Sequence, residues 1–303
     1  MRAIVTGATG AVGMALISEL EKNCVETLVL CRRGSARNQR ISEGKYVKKL
    51  ECSLEELDGV ELSEEYDIFY HLAWEGTTGD ARNDMYLQTR NIKYTLDALS
   101  LAKRAGCKTF VGAGSQAEYG RVEGKISPDT PCFPENGYGI AKLTAGRMCS
   151  VVAEKMGIRL VWARILSVYG PYDTERSMVM STIIKLMAGE KPSFTAGEQI
   201  WDYLYSADAA RALYLLGVTE KAKGVYCLGG GKPEALRDYI TKIRDIVAPE
   251  GELGLGAIPY GKGQVMYLCA DIDKLKNDTG FEPEVSFADG IKMTAEWYKN
   301  QKS

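Results

Sequence analysis

The sequence predicts an α/β protein built on a doubly wound parallel sheet, with a smaller, discontinuous lobe packed over the carboxyl ends of the strands. Three observations carry this expectation. A glycine-rich stretch, Gly7-Ala8-Thr9-Gly10-Ala11-Val12-Gly13, directly follows a short apolar run. Short β-rich segments then alternate with helical ones through the first half, as in sheets with helices on both faces. The alternation breaks down after Val168-Tyr169-Gly170-Pro171.

Taken in order, Ala3–Thr6, Thr27–Cys31, Ile68–Leu72 and Thr109–Gly112 are short, apolar and β-rich, as strands buried on both faces should be. A helix is expected over Ala11–Leu20 and another from about Asp84 to Ala105, with Ile92, Leu96, Leu99 and Ala102 on one face and Gly106 as its stop. A further helix, Tyr138–Met156, precedes a strand at Val161–Ile165. Beyond Pro171 the pattern predicts helices at Met178–Ala188, Ala207–Leu216, Glu234–Val247 and Phe287–Tyr298, with a strand at Gly224–Leu228. The sequence shows no repeat, low-complexity run or linker. The expected division is a dinucleotide-binding domain over 1–168 and about 203–232, and a substrate lobe over about 169–202 and 233–303.

A chain of 303 residues is long enough for a large core. Apolar residues at 45% and charged residues at 26% are ordinary for a soluble globular protein. A net charge of -2 gives no electrostatic reason to expect nucleic acid or an anionic membrane as partner. The first apolar segment is too short for a signal peptide core, and no run reaches the roughly 18 residues of a membrane span, so a cytoplasmic location is expected. Eight cysteines are scattered without a Cys-x-x-Cys pair, which argues against a zinc ribbon or a thioredoxin-type motif. The single histidine, His71, is too few for a Ser-His-Asp triad, a two-histidine zinc site or a facial iron triad. No metal site is expected, and acid–base chemistry falls to Tyr, Lys or carboxylates.

The glycine spacing has a physical use. Gly7 allows a tight turn after the strand, Gly10 lets backbone approach a phosphate, and Gly13 lets the helix pack close to the sheet. The free amides and dipole of the helix start favour an anion. Cofactor choice is read after the second strand, where Asp or Glu suits the NAD ribose and Arg suits a 2′-phosphate. Here Cys31-Arg32-Arg33-Gly34 follows, with no acidic residue between Glu26 and Glu43. Arg32 and Arg33 favour NADP, with NAD as the alternative. Tyr138 and Lys142 share one helix face. A nearby ammonium and a nicotinamide charge would bring the phenol, ordinarily near a pKa of about 10, into acid–base range. Ser115 ends the preceding strand-like run.

These motifs, together with Tyr70-His71-Leu72-Ala73, Asn91, the run Phe110 to Gly120, Arg164, Val168–Pro171, Asp202-Tyr203-Leu204-Tyr205 with Asp208, and the tail from Asp271 through Gly280-Phe281-Glu282-Pro283 to Gly290, resemble the extended short-chain dehydrogenase/reductases. That group includes nucleotide-sugar epimerases, dehydratases and reductases. The resemblance covers nearly the whole chain and implies a Rossmann-type sheet and a nucleotide-sugar substrate.

By this resemblance Ser115, Tyr138 and Lys142 are catalytic. Ser115 holds the oxygen at the reacting carbon, Tyr138 exchanges its proton, and Lys142 tunes Tyr138. Gly7, Thr9, Gly10, Ala11, Val12, Leu72 and Ala73 would contact the cofactor with Arg32, Arg33, Tyr138 and Lys142, while Asn91 completes the active-site hydrogen bonds. His71 reads as structural. Sugar-nucleotide 4,6-dehydratases carry Asp and Glu after the hydroxyl residue, whereas Gln116 and Ala117 stand here; a 4-keto reductase or a 4-epimerase needs neither. Trp201 stands before Asp202 where many relatives have an Arg that contacts the diphosphate, so Trp201 and Arg176 are the candidate substrate contacts there, beside Gln116. The expectation is NADPH-dependent reduction of a 4-keto-6-deoxy sugar nucleotide. The alternatives are an NAD-dependent 4-epimerase and, from another class, a non-catalytic cofactor sensor. A homodimer through the two long helices is also expected.

Overall fold

Seven parallel strands lie side by side in the order β10-β6-β5-β4-β1-β2-β3. They are β1 (Arg2–Thr6), β2 (Glu26–Cys31), β3 (Val47–Glu51), β4 (Ile68–His71), β5 (Thr109–Ser115), β6 (Arg159–Ile165) and β10 (Gly224–Leu228). The computed structural model describes residues 1–302. The order reverses between β1 and β4, and ligands of such sheets bind in the crevice beyond the strand ends at that point. In register, Thr6 lies beside both Leu30 and His71, and His71 beside Gly112. The carboxyl ends of β1, β2, β4 and β5 therefore share one edge.

Helices cover both faces. Helix α1 (Ala11–Lys22) and α5 (Ser206–Val218) bury Leu16, Leu20, Leu213 and Leu216 with Val5, Val29 and Val161. On the opposite face α2 (Met85–Arg104) and α3 (Gly137–Met156) bury Ala98, Leu99, Ala102, Cys149 and Ala153 against Ile4, Phe69 and Phe110. Both faces being covered explains why every residue of β4 and β5 is buried. The Asp84 carboxylate caps α2 by accepting from the Leu87 amide at 3.0 Å. The Asn136 side chain caps α3 through the Gly139 amide at 2.9 Å.

The second lobe has its own core. Helix α4 (Met178–Met187), α6 (Leu236–Val247) and α8 (Phe287–Lys302) bury Val179, Ile183, Ile243 and Ile291 beside Tyr169 and Tyr205. The aromatic residues come from β7 (Ser167–Tyr169) and β9 (Tyr203–Tyr205), which pair in parallel. A small sheet orders β11 (Glu234–Ala235), β8 (Ile200–Trp201) and β12 (Tyr267–Leu268). The buried Asp202 carboxylate ties this lobe to the strand ends by accepting from the amides of Gly230 at 2.7 Å, Ala270 at 2.9 Å and Gly231 at 3.0 Å. Helix α7 (Asp273–Thr279) contributes Leu275 to the main core, alongside Leu268, Ala270, Ile272 and Phe281.

The expected strands and helices are present with ends moved by a few residues, and two differences have physical causes. Strand β3 and helix α7 carry no clear pattern: β3 is an edge strand with only Val47 buried, flanked by Lys48 and Lys49, as edges commonly are. The buried face of α2 is rotated from the apolar stripe. Gln88, Asn91 and Thr95 are buried with Leu99 and Ala102, while Ile92 and Leu96 are only partly covered, because polar side chains of this helix hold a neighbouring loop. The cysteines are free thiols, and only Cys24 is exposed. No helix among the described residues is long and apolar enough to cross a membrane.

Candidate active site

A cavity of about 260 Å³ opens at the reversal point. One end is apolar, lined by Leu30, Cys31, Cys52, Leu54 and Leu57; its middle runs along Gly7–Gly10; the other end meets Leu72, Ala73, Trp74 and Glu75. The turn fits a pyrophosphate. Gly7 has φ +75°, and a Cβ there would lie 2.4 Å from the Ala73 nitrogen, so no larger residue fits. At Gly10 a Cβ would meet nothing within 4 Å, which leaves the backbone face open. No side chain caps α1 at Gly10, so its first amides remain available to an anion. Ala11 and Val12 offer only those amides: Val12 packs into the core and Ala11 lines a separate cleft. Arg40 steadies the turn by donating to the Thr9 carbonyl at 2.8 Å.

The ribose end corrects one expectation. Arg32 lines the cavity, but Arg33 turns away to donate to Glu56 at 3.2 Å and to the Glu51 carbonyl at 3.3 Å. Arg33 sits in the turn after β2, and its side chain reaches across to the Glu56 side rather than into the cavity. The second arginine at this end is Arg37, with Ser35 and Asn38 beside it. Arg37 and Asn38 belong to a short helical turn, Ala36–Arg40, which Ser35 precedes and which the sequence does not announce.

Ser115, Tyr138 and Lys142 come together. Ser115 ends β5, and its hydroxyl accepts from the Ala117 amide at 3.2 Å. Tyr138 and Lys142 stand one turn apart on α3, both buried. Burial pushes the Tyr138 phenol above its ordinary pKa, while a hydrogen bond with Ser115 and the charge of Arg82 pull it back. Burial pushes the Lys142 ammonium down to about 7, against an opposing effect of Glu118. Its Nζ donates to the Ala113 carbonyl at 2.6 Å. His71 is structural: burial first, then Lys142, push it down to about 3, so the ring is neutral, and Nδ1 bonds the Thr6 hydroxyl at 2.9 Å.

Two further residues stand at the site without any sequence signal. Trp74, directly after the Tyr70–Ala73 strip, lies 3.8 Å beneath the Lys142 ammonium and edge-on to Tyr138 at 6.1 Å. Gln88 accepts from its indole N–H at 2.9 Å. The Arg82 guanidinium stacks over the Tyr138 ring at 4.4 Å. Neither spacing nor composition of the Gly/Thr-rich loop between β4 and α2 indicates that it folds back onto α3.

The other candidate residues are placed by the protein's own packing. Asn91 is buried, accepting from the Glu75 amide at 2.9 Å and donating to the carbonyls of Glu75 at 3.0 Å and Leu87 at 3.2 Å, so its amide ties the loop before α2 to the helix. Trp201 donates to the Ser167 hydroxyl at 2.8 Å and packs against the main core, which makes it a joint between lobes. Arg176 is exposed in the segment before α4. Gln116 is half-buried in the turn after Ser115. Glu118 is fully enclosed, bonded to Arg164 at 2.6 Å and to the Ser115 amide at 2.8 Å.

A phenol, a hydroxyl and an ammonium beside a pyrophosphate-sized turn can exchange a proton at a carbon whose hydride is transferred. Known proteins similar to this chain include epimerases and dehydratases of sugar nucleotides. An uncharacterized UDP-glucose epimerase, YtcB, of Bacillus subtilis is 27% identical over 305 residues, covering 96% of each chain. A dTDP-glucose 4,6-dehydratase of Escherichia coli is 26% identical over 347 residues, covering 100% of this chain and 94% of its own. Among solved structures, UDP-glucose 4-epimerase of Thermotoga maritima shares the fold with a TM-score of 0.87 at 24% identity over 100% of both chains. An epimerase of Methanothermobacter thermautotrophicus gives 0.88 at 23%, over 99% of this chain and 93% of its own. The NAD dependent epimerase/dehydratase family matches residues 3–229, from the first strand through the end of the seventh, and the chain belongs to that family of sugar-nucleotide-modifying short-chain dehydrogenase/reductases.

Proposed function

We propose that the protein is an NADP(H)-dependent oxidoreductase that reduces the 4-keto group of a 6-deoxy sugar nucleotide. The observation that carries the cofactor choice is the ribose end of the cavity, where Arg32 and Arg37 stand with Ser35 and Asn38 and the carboxylate usual for an NAD ribose is missing. A bound nicotinamide dinucleotide supplies the hydride. The chain's own groups handle the oxygen: Ser115 polarises the carbonyl and Tyr138 delivers the proton. Elimination of water finds no free acid or base beside Ser115, because Gln116 and Ala117 follow it and both oxygens of Glu118 are occupied.

Two cores support a division of labour. Residues 1–168 and about 203–232 would hold the cofactor, and 169–202 with 233–303 would enclose the sugar nucleotide, although Trp201 and residues 268–281 pack on the main core and Tyr203 and Tyr205 pack in the second. A homodimer through α2 and α3 suits the exposed apolar side chains Ile140, Met148 and Val151 along one face of α3, with Tyr86 on α2.

The relatives named as epimerases, among them the Thermotoga maritima 4-epimerase, favour a second reading, an NAD-dependent 4-epimerase using the same Ser115 and Tyr138. A stoichiometric assay separates the two. Consumption of one NADPH per 4-keto sugar nucleotide, lost in Tyr138→Phe, is expected. Interconversion of two sugar nucleotides with no net cofactor change rejects the reductase in favour of the epimerase.

A further inference from the structure

Short-chain dehydrogenases of this architecture are expected to support their tyrosine through the lysine four residues on, but the geometry here divides that work differently. The Lys142 ammonium is 5.9 Å from the Tyr138 ring centroid, is tied to the Ala113 carbonyl at 2.6 Å and lies against the Trp74 face at 3.8 Å. The Arg82 guanidinium is nearer, 4.4 Å from the same ring. Its side chain is half-buried, donates to the Thr77 carbonyl at 3.1 Å, and among the described residues pairs with no carboxylate. The loop that presents it is held firmly. Gln88 donates to the carbonyls of Gly76 and Ala81 at 2.9 Å each, and the Asn83 side chain accepts from the Gly137 amide at 3.0 Å, beside Tyr138 itself.

We propose that Arg82 is a second cation, beside Lys142, that supports the phenolate of Tyr138 in this chain, acting through the ring on which it stacks. Arg82 is then a positioning residue: Tyr138 takes a proton from the substrate hydroxyl when the sugar is oxidised and returns it to the carbonyl oxygen when the sugar is reduced, and Arg82 sets how readily it does so. The other charged groups that bear on the phenol or its ring are Lys142 on α3 and Glu118 in the turn after β5, and His71 at the end of β4 lies beside Lys142. Glu118 is neutralised by Arg164 at 2.6 Å, and His71 is uncharged near neutrality. The phenol's directions of shift agree with this: Arg82 lowers it and Glu118 raises it, while burial raises it most. A guanidinium keeps its charge at every working pH, whereas the Lys142 ammonium, lowered to about 7, does not.

The inference rests on the oxidoreductase reading, so its test has two arms. In the first, the pH profile of kcat/KM is measured for the native protein, Arg82→Gln and Arg82→Lys. With the charge removed, the phenol holds its proton to higher pH. In Arg82→Gln the alkaline limb of reduction therefore moves up by about one pH unit, a magnitude typical of one nearby, partly screened charge, and Arg82→Lys brings it back toward the native position. A limb that stays in place in Arg82→Gln, even with kcat reduced, overturns the proposal. In the second arm the phenol is titrated without turnover, by ultraviolet phenolate absorbance of cofactor-saturated protein, each variant against its Tyr138→Phe partner. A shifted titration in a protein that turns over no sugar nucleotide sinks the proposed function and leaves Arg82's part standing; an unshifted one removes Arg82's part.

Discussion

Glu118 accepts from Arg164 Nε at 2.6 Å, and the two side chains are 0% and 3% exposed. The same carboxylate also accepts from the Ser115 amide at 2.8 Å and from the Trp162 indole at 3.0 Å. A charged pair at the seam of β5 and β6 therefore locks the strand end from which the Ser115 hydroxyl projects. Gly114 leaves room for it, since a Cβ there would lie 2.6 Å from Glu118 Oε1 and 2.5 Å from the Trp162 nitrogen. A buried pair of this kind adds little net stability over apolar packing, but splitting it strands a charge.

Glu118→Ala should accordingly lose about 3–5 kcal/mol of unfolding free energy, measured by urea titration. Pairing Glu118→Gln with Arg164→Met should recover part of the loss seen in Glu118→Gln alone. A Glu118→Ala protein as stable as the native one contradicts the structural part assigned to this pair.

Lys142 gives a pH signature. Its folded-state pKa is lowered to about 7 by burial, against 10.5 ordinarily. Between those values the unfolded chain binds the proton that the native state has released, so native stability rises with pH there, by up to about 1.4 kcal/mol per unit for one proton. Below the folded value both states are protonated and the effect is flat. The stability difference between the native protein and Lys142→Met, measured from about pH 6 to about pH 9, should shift in favour of the native protein as pH rises. A constant difference refutes the burial of a lone ammonium.

Cofactor discrimination should follow the cavity rather than the dipeptide. Arg32→Ala and Arg37→Ala are each expected to weaken NADP binding by about 1.5–3 kcal/mol and to leave NAD binding nearly unchanged. Arg33→Ala, whose side chain pairs with Glu56 at 3.2 Å, should do little to either. Calorimetric titration with both dinucleotides reads this directly, and equal weakening of both by Arg32→Ala counts against a 2′-phosphate contact.

Tyr70 presents the opposite case, a polar atom with no reward. Its hydroxyl is buried and makes no hydrogen bond among the described residues. It fits only because Gly217 lacks a side chain: a Cβ there would lie 2.1 Å from the hydroxyl oxygen. Tyr70→Phe should stabilise the protein by about 1 kcal/mol, since an unmet buried donor is a cost. Gly217→Ala should be destabilising in the native protein and tolerated better in Tyr70→Phe. Thermal unfolding of the four proteins tests both statements.

Much of this molecule is legible from its residues because the signals are local. The apolar runs of β1, β2, β4 and β5 predict buried strands, since their neighbours on both faces must be apolar. The Gly7–Gly13 spacing predicts the turn because only glycine tolerates its φ and its closeness to Ala73. Tyr138 and Lys142 share a face because a helix repeats at that interval. The edge strand β3 escapes notice for the same reason in reverse, having solvent on one side and lysines in its sequence.

The sequence by itself determined the main strands and helices in their order, β3 and α7 apart, the anion-binding turn, and the presence of a hydroxyl, a phenol and an ammonium in that order, each a property of a short stretch of chain. Only the tertiary structure decided that Arg33 faces Glu56 while Arg37 faces the cavity, that Asn91 holds the loop at Glu75, and that Trp74 and Arg82 fold back against Lys142 and Tyr138. Those outcomes depend on how a glycine-containing loop packs against a distant helix, where contacts between residues far apart in the chain outweigh any local preference.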